Sequence, residues 1–156
     1  MAFHAEPSSG HPLEFDDRES NSGGSPVETV LSALGACSAM DIVSILEKKR
    51  QAVSSYGVEV VGSQRDEYPQ VFAEITVTHE LEGKDLSVAA VRRAIELSAT
   101  KYCPVNAMIS AGPTVVHHRY RIRSDGASPF ESEGEVLSTG PYRRADVIGE
   151  ADQKVY

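Results

Sequence analysis

The chain has 156 residues, an apolar fraction of 40% and a formal net charge of −8. That length suits one domain, and the acidic balance argues against nucleic acid or an anionic membrane as the main partner. Two cysteines in the whole chain, with no basic and apolar leader in MAFHAEPSSGHP, fit a reducing cytoplasm in which thiols are catalytic, redox-sensing or inert rather than structural. No apolar run is expected to be long enough to cross a bilayer.

The first segment, HPLEFD, alternates weakly and reads as a strand. A polar Gly/Ser loop, DRESNSGGSP, comes after it. The strongest helix start in the chain is next: Ser25 as N-cap, Pro26 at the first helical position and Glu28 three residues after the cap form a capping box. The helix runs through VETVLSALGACSAMDIVSILEKKRQ. From Val30 to Leu46 it is apolar on nearly every face, interrupted by small residues and by Asp41, which predicts burial all round. Basic residues at its end complement the helix dipole. YGVEVVGSQR and QVFAEITVTHEL then alternate as two strands around the turn RDEYP, a hairpin with Ile75, Val77 and His79 on one side. EGKDLS is a loop in which Asp85 or Ser87 caps a second helix. That helix buries Val88, Val91, Ile95, Leu97 and Ala99 and wets Arg92, Arg93 and Glu96. CPVNAMISAG starts a short third helix, and PTVVHHRYRIR is a last strand. From Ser124 onward the composition turns polar and acidic. The expected organisation is a domain over 1–123 and a C-terminal extension over 124–156 that is partly disordered or packed on a neighbour.

The two cysteines sit in different surroundings. Cys37 lies mid-helix among apolar residues, where burial raises a thiol's pKa and a small core hydrophobe is the plain reading. Cys103, directly before Pro104, falls at the N-cap of the third helix, where free backbone N–H groups and the dipole favour a thiolate. The chain has no C-x-x-C and no His at ligand spacing from either cysteine, so neither metal nor cofactor is expected. His117 and His118 are adjacent on a strand and point to opposite faces. The cysteines are distant in sequence, and only a fold could bring them together. A helix apolar on every side is hard for one chain of this size to wrap, which predicts a homodimer sharing its core.

SPVETVLSALGACSAMDIVSIL, with LSATKYCPVNAMI later in the chain, resembles the OsmC/Ohr family of hydroperoxide reductases. The marks are the Pro-x-Glu helix start, the GAC near the helix centre and a second cysteine in a Y-C-P-V setting. The resemblance runs from about SSGHPLEFD to HHRYRI and is nearer a less characterised OsmC-like branch than the organic-hydroperoxide branch. It implies an α+β fold in which a long central helix packs against antiparallel sheets in an intertwined homodimer. It also implies that Cys37 attacks a peroxide and becomes a sulfenic acid, that Cys103 condenses with it to a disulfide, and that an external dithiol, often a protein-bound lipoyl group in relatives, reduces that disulfide. Active relatives hold an arginine near the first cysteine with a glutamate. Glu28, about two and a half helical turns before Cys37, is the candidate glutamate as well as a capping residue. The arginine usually comes from an N-terminal hairpin whose first strand is expected to be missing here. Arg18 is the candidate arginine, with Arg65 as the other choice.

Two readings are open at this point. One is a thiol peroxidase for organic hydroperoxides or hydrogen peroxide, with Leu34, Met40 and Met108 lining the region of Cys37. The alternative is a non-catalytic dimer on the same scaffold that binds a small apolar ligand or senses redox state through its disulfide.

Overall fold

The structure is a computed structural model that describes residues 1–17 and 22–140. The chain divides into two compact units at Ala33/Leu34. In the first, β1 (Ala2–Ala5) and β2 (Leu13–Asp16) pair antiparallel, with Phe3 opposite Phe15. The hairpin strand expected to be missing is therefore present as β1. Asp16 is buried and accepts from the Ser22 backbone N–H at 2.7 Å and the Ser22 hydroxyl at 2.9 Å. These bonds tie the end of β2 to the approach to the long helix α1 (Pro26–Lys48). The helix starts where the capping box places it. The Ser25 N–H donates to Glu28 Oε2 at 2.8 Å, and the Glu28 N–H donates to Ser25 Oγ at 3.2 Å. Each residue satisfies a backbone donor that the first turn would leave unpaired.

The second unit is built on a four-stranded sheet in the order β3-β4-β5-β6. Strands β3 (Ala52–Gln64) and β4 (Phe72–Lys84) form the hairpin read from the sequence. The chain then crosses over through α2 (Val88–Leu97), a π-helical turn (Ser98–Tyr102) and α3 (Pro104–Ser110). It returns as β5 (Val115–Asp125), parallel to β4. A helical crossover is what parallel neighbours require, so the sheet is mixed and not antiparallel as expected. Strand β6 (Phe130–Thr139) pairs antiparallel with β5. The boundary drawn at 123/124 thus falls inside β5, and 130–139 belongs to the sheet instead of a loose extension. The polar composition misled because β6 lies at the edge of the sheet, where strands carry charge. The stretch 141–156 lies outside the described residues.

One face of this sheet is core. Ile42 and Leu46 of α1 pack with Leu81, Leu86, Val91, Ala94, Ile95, Tyr120 and Ile122. Gly35 lets α1 approach β3, since a Cβ there would stand 2.9 Å from Val60 Cγ2. The other face is a charge ladder: Arg121 reaches Glu80 at 2.8 Å, and Arg123 reaches Glu82 at 2.7 Å and Glu131 at 3.0 Å. These pairs are exposed and screened by solvent, so they add little to stability, but they keep that face wet. Glu96, expected on the wet side of α2, is buried and bonded to Arg93 at 2.7 Å.

Burial of α1 on every face is not found in the single chain. Met40 is 76% exposed and Val43 38%, with Met108 at 69% and Tyr102 at 48%. The expectation that no segment could cross a bilayer also needs correcting. By length and composition α1 could, yet Leu34, Ile42 and Leu46 on it are packed inside the fold.

Candidate active site

The two cysteines meet. Cys37 Sγ, Cys103 Sγ and an Asp41 carboxylate oxygen all lie within 4.8 Å of one another. Cys37 and Asp41 are four residues apart on α1, so one helical face presents both. Cys103 comes from the crossover, and its position is set by local chemistry. Pro104 disfavours helical backbone in the residue before it, and Cys103 is extended at φ −74 and ψ 103. The helix therefore ends at Cys103 and a new one starts there. The preceding turn is widened to π form, with the Cys103 N–H donating to Ser98 O at 2.9 Å. Such turns insert a residue and re-aim the chain beyond them.

Cys103 caps α3 with its sulfur. The Asn106 N–H donates to Cys103 Sγ at 3.3 Å, and the Ser38 hydroxyl donates to the same sulfur at 3.8 Å. Asn106 is fully buried and fixed by its own bonds. Its Nδ2 donates to Ala99 O at 2.8 Å, and its Oδ1 accepts from His118 Nε2 at 3.1 Å. Behind His118 lies His79, its ring parallel within 5° at 6.0 Å, and His79 Nδ1 bonds the Tyr56 hydroxyl at 2.8 Å. His79 Nε2 and His118 Nδ1 have no hydrogen-bond partner among the described residues. Burial drives both imidazoles down, His79 to about 3 and His118 to about 4. Both are neutral near pH 7, and His118 then carries its proton on Nε2 to serve the Asn106 oxygen.

Electrostatics separate the two thiols. Cys103 is 3% exposed, while Cys37 is half-buried. Burial pushes the Cys37 thiol up to about 11, with further upward pressure from Cys103 and Asp41; a bond from the Val105 backbone works the other way. The described surroundings thus do not prime Cys37 as a thiolate. Beside it runs an open groove of ≈ 590 Å³ lined by Met40, Asp41, Ile45, Leu97, Tyr102 and Lys48 among others. Of the lining expected around Cys37, Leu34 is fully buried, whereas Met40 and Met108 are exposed.

Glu28 is engaged in the capping box at the start of α1. Arg18 lies outside the described residues. Arg65 is held by its own turn, its Nε donating to Pro69 O at 2.7 Å. Sequence reasoning missed Asp41, Ser98 and Asn106 as parts of the site. The Cys37-x-x-x-Asp41 spacing was a legible signal, and Asn106 stands at the third position after a Cys-Pro cap. Nothing in the sequence announces the π-helical turn.

The family model for OsmC-like proteins matches residues 19–118. Protein YhfA of Escherichia coli (strain K12) is 41% identical over 117 residues, spanning 75% of this chain and 87% of that protein. A solved OsmC-like protein of Mycoplasma pneumoniae superposes with a TM-score of 0.65 at 14% identity, covering 78% of this chain and 95% of that one. The organic hydroperoxide resistance protein OhrB of Bacillus subtilis gives a TM-score of 0.52 at 17% identity, covering 77% and 96%.

Proposed function

This chain belongs to the OsmC-like protein family, and from that premise we propose that it is a cysteine-based thiol peroxidase that cycles through a Cys37–Cys103 disulfide. The observation that carries the reading is the meeting of two reduced sulfurs from separate elements within 4.8 Å. Cys37, the more accessible thiol, is the peroxidatic one. Its thiolate bonds to the distal oxygen of an organic hydroperoxide or hydrogen peroxide, the O–O bond breaks, and the alkoxide or hydroxide leaves and takes a proton. Sulfur is oxidised to the sulfenic acid and the peroxide is reduced to an alcohol or water. Cys103 sulfur then attacks Cys37 sulfur, the S–O bond breaks, and the hydroxyl departs with the Cys103 proton as water. An external dithiol, of the lipoyl type in this reading, exchanges the disulfide back to two thiols.

Thiolate formation is the demanding step, because a thiol near 11 is almost wholly protonated at neutral pH. Arg18, steadied by Glu28, is the proposed source of the missing positive charge. The exposed Met40 and Val43 on α1 support a homodimer in which a second copy covers that face, and a chain with only two cysteines fits a cytoplasmic setting. The high-lying Cys37 thiol and the adjoining groove also support the second reading, a ligand-binding or redox-sensing dimer without turnover.

Turnover separates the two. The reduced protein supplied with cumene hydroperoxide and a dithiol should consume peroxide catalytically, Cys37→Ser should abolish consumption, and Cys103→Ser should leave a trappable sulfenic acid on Cys37. Intact thiols in all three after peroxide would remove the peroxidase reading.

A further inference from the structure

Asp41 is a carboxylate placed beside two thiols. Its Oδ2 accepts from the Ser98 hydroxyl at 3.0 Å, and it forms no ion pair among the described residues. Three acidic groups converge, and no basic group among the described residues is paired with them. We propose that the reduced site binds one thiophilic divalent cation of the zinc class through Cys37 Sγ, Cys103 Sγ and an Asp41 carboxylate oxygen.

The geometry is near what such an ion needs. Zinc bonds thiolate sulfur at about 2.3 Å and carboxylate oxygen at about 2.0–2.2 Å in a tetrahedron, which sets donor–donor spacings of roughly 3.5–3.8 Å. The three donors already lie within 4.8 Å of one another, so side-chain rotations closing the spacings by at most about 1.3 Å complete the set. The donor types select the metal. Two sulfurs exclude the oxygen-seeking magnesium and calcium, and a carboxylate with two thiolates suits zinc. The outer shell is present too. Ser98 orients the carboxylate, as hydrogen-bonded partners do for metal ligands. Asn106, locked by His118 and Ala99, fixes the turn that carries Cys103. Three protein donors leave a fourth position for water, which gives an open site rather than a closed structural one.

The absence of C-x-x-C excludes a zinc knuckle but not this arrangement, because the third ligand is a carboxylate one helical turn after Cys37. Occupancy would tie up both sulfurs, and a disulfide would remove two of the three ligands, so metal and oxidant compete for one site. The proposal stands independently of peroxidase activity.

The test uses the reduced, chelator-treated full chain titrated with Zn²⁺ and, separately, Cd²⁺. One equivalent per chain is expected, with a cadmium–thiolate charge-transfer band in the ultraviolet. Asp41→Asn, which keeps an acceptor for Ser98, should weaken Zn²⁺ binding more than tenfold. Ser98→Ala should weaken it about tenfold. Cys103→Ser, a substitution that preserves a helix cap, should reduce the cadmium band and weaken zinc likewise. Thermal melts establish that each variant is folded. No binding by the reduced wild type, or wild-type affinity retained in folded Asp41→Asn and in folded Cys103→Ser, would overturn the proposal; the latter would place the ion elsewhere, as at His117 between Glu74 and Glu135. Disulfide formation measured on metal-free protein reports separately on the peroxidase reading.

Discussion

Lowering the pH from 7.5 to 4.5 is expected to remove about 5 kcal/mol of folding stability through His79 and His118, and His79→Phe is expected to remove about half of that pH dependence. Both side chains are almost wholly buried. Burial is the main reason they resist protonation, with His118 acting on His79 and His117 acting on His118. The unfolded chain binds protons on these groups below its ordinary value of 6.5, whereas the folded chain holds off until about 3 and about 4. Stability is therefore full above 6.5 and falls as pH drops toward the folded values. At pH 4.5 linkage gives about 2.7 kcal/mol for His79 and about 2.5 kcal/mol for His118. The sum is comparable to the whole net stability of many domains, about 5–15 kcal/mol. The slope, roughly 2.7 kcal/mol per pH unit for two protons, is the quantity to measure. Urea denaturation monitored by far-UV circular dichroism between pH 7.5 and 4.5 suits a chain with no tryptophan. His79→Phe leaves the Tyr56 hydroxyl without its partner and lowers stability at every pH, but it should cut the slope by one proton. Equal slopes in wild type and variant would refute the reasoning. The outcome also bears on the site, since His118 holds Asn106, and Asn106 holds Cys103.

Three further outcomes are expected. Gly83→Ala would set a Cβ 2.3 Å from the Ala52 carbonyl oxygen and 3.0 Å from Val53 Cα, so the β3–β4 ladder must shift; a loss of about 3 kcal/mol in a denaturant melt is expected. Arg18→Ala should slow peroxide-driven disulfide formation at pH 7 about tenfold, the equivalent of one pKa unit, whereas Arg65→Ala should change it less than about twofold because Arg65 is spent on its own turn. Cys103→Ser should fold to within about 1 kcal/mol of wild type, since serine is a good helix cap. With excess peroxide this variant should gain two oxygens on Cys37 by mass spectrometry, having no partner thiol to stop at the disulfide.

How far the sequence could be read differed by region. The start of α1 was plain because Ser25, Pro26 and Glu28 settle it locally. The same holds for the end of the crossover, where Pro104 stops one helix and Cys103 caps another. Hydrophobic alternation placed β3 and β4. The parallel pairing of β4 with β5 was hidden, since periodicity gives a strand but not its neighbour. Strand β6 was missed because an edge strand with a wet face reads as polar tail, and β1 because four residues are too few for a pattern. Within the site the cysteines were legible from their contexts. Asp41 was visible only as an oddity in an apolar helix, and its role depends on a π-helical turn that brings Ser98 to it. The roles of Arg18 and Glu28 beside Cys37 came from the resemblance alone.

The most direct test of the central claim is the intact mass and thiol map of the reduced protein after one equivalent of cumene hydroperoxide. The expected product is lighter by two hydrogens, with a single crosslink joining the Cys37 peptide to the Cys103 peptide within one chain. An unchanged mass, or a bond between chains in place of one within the chain, would contradict it.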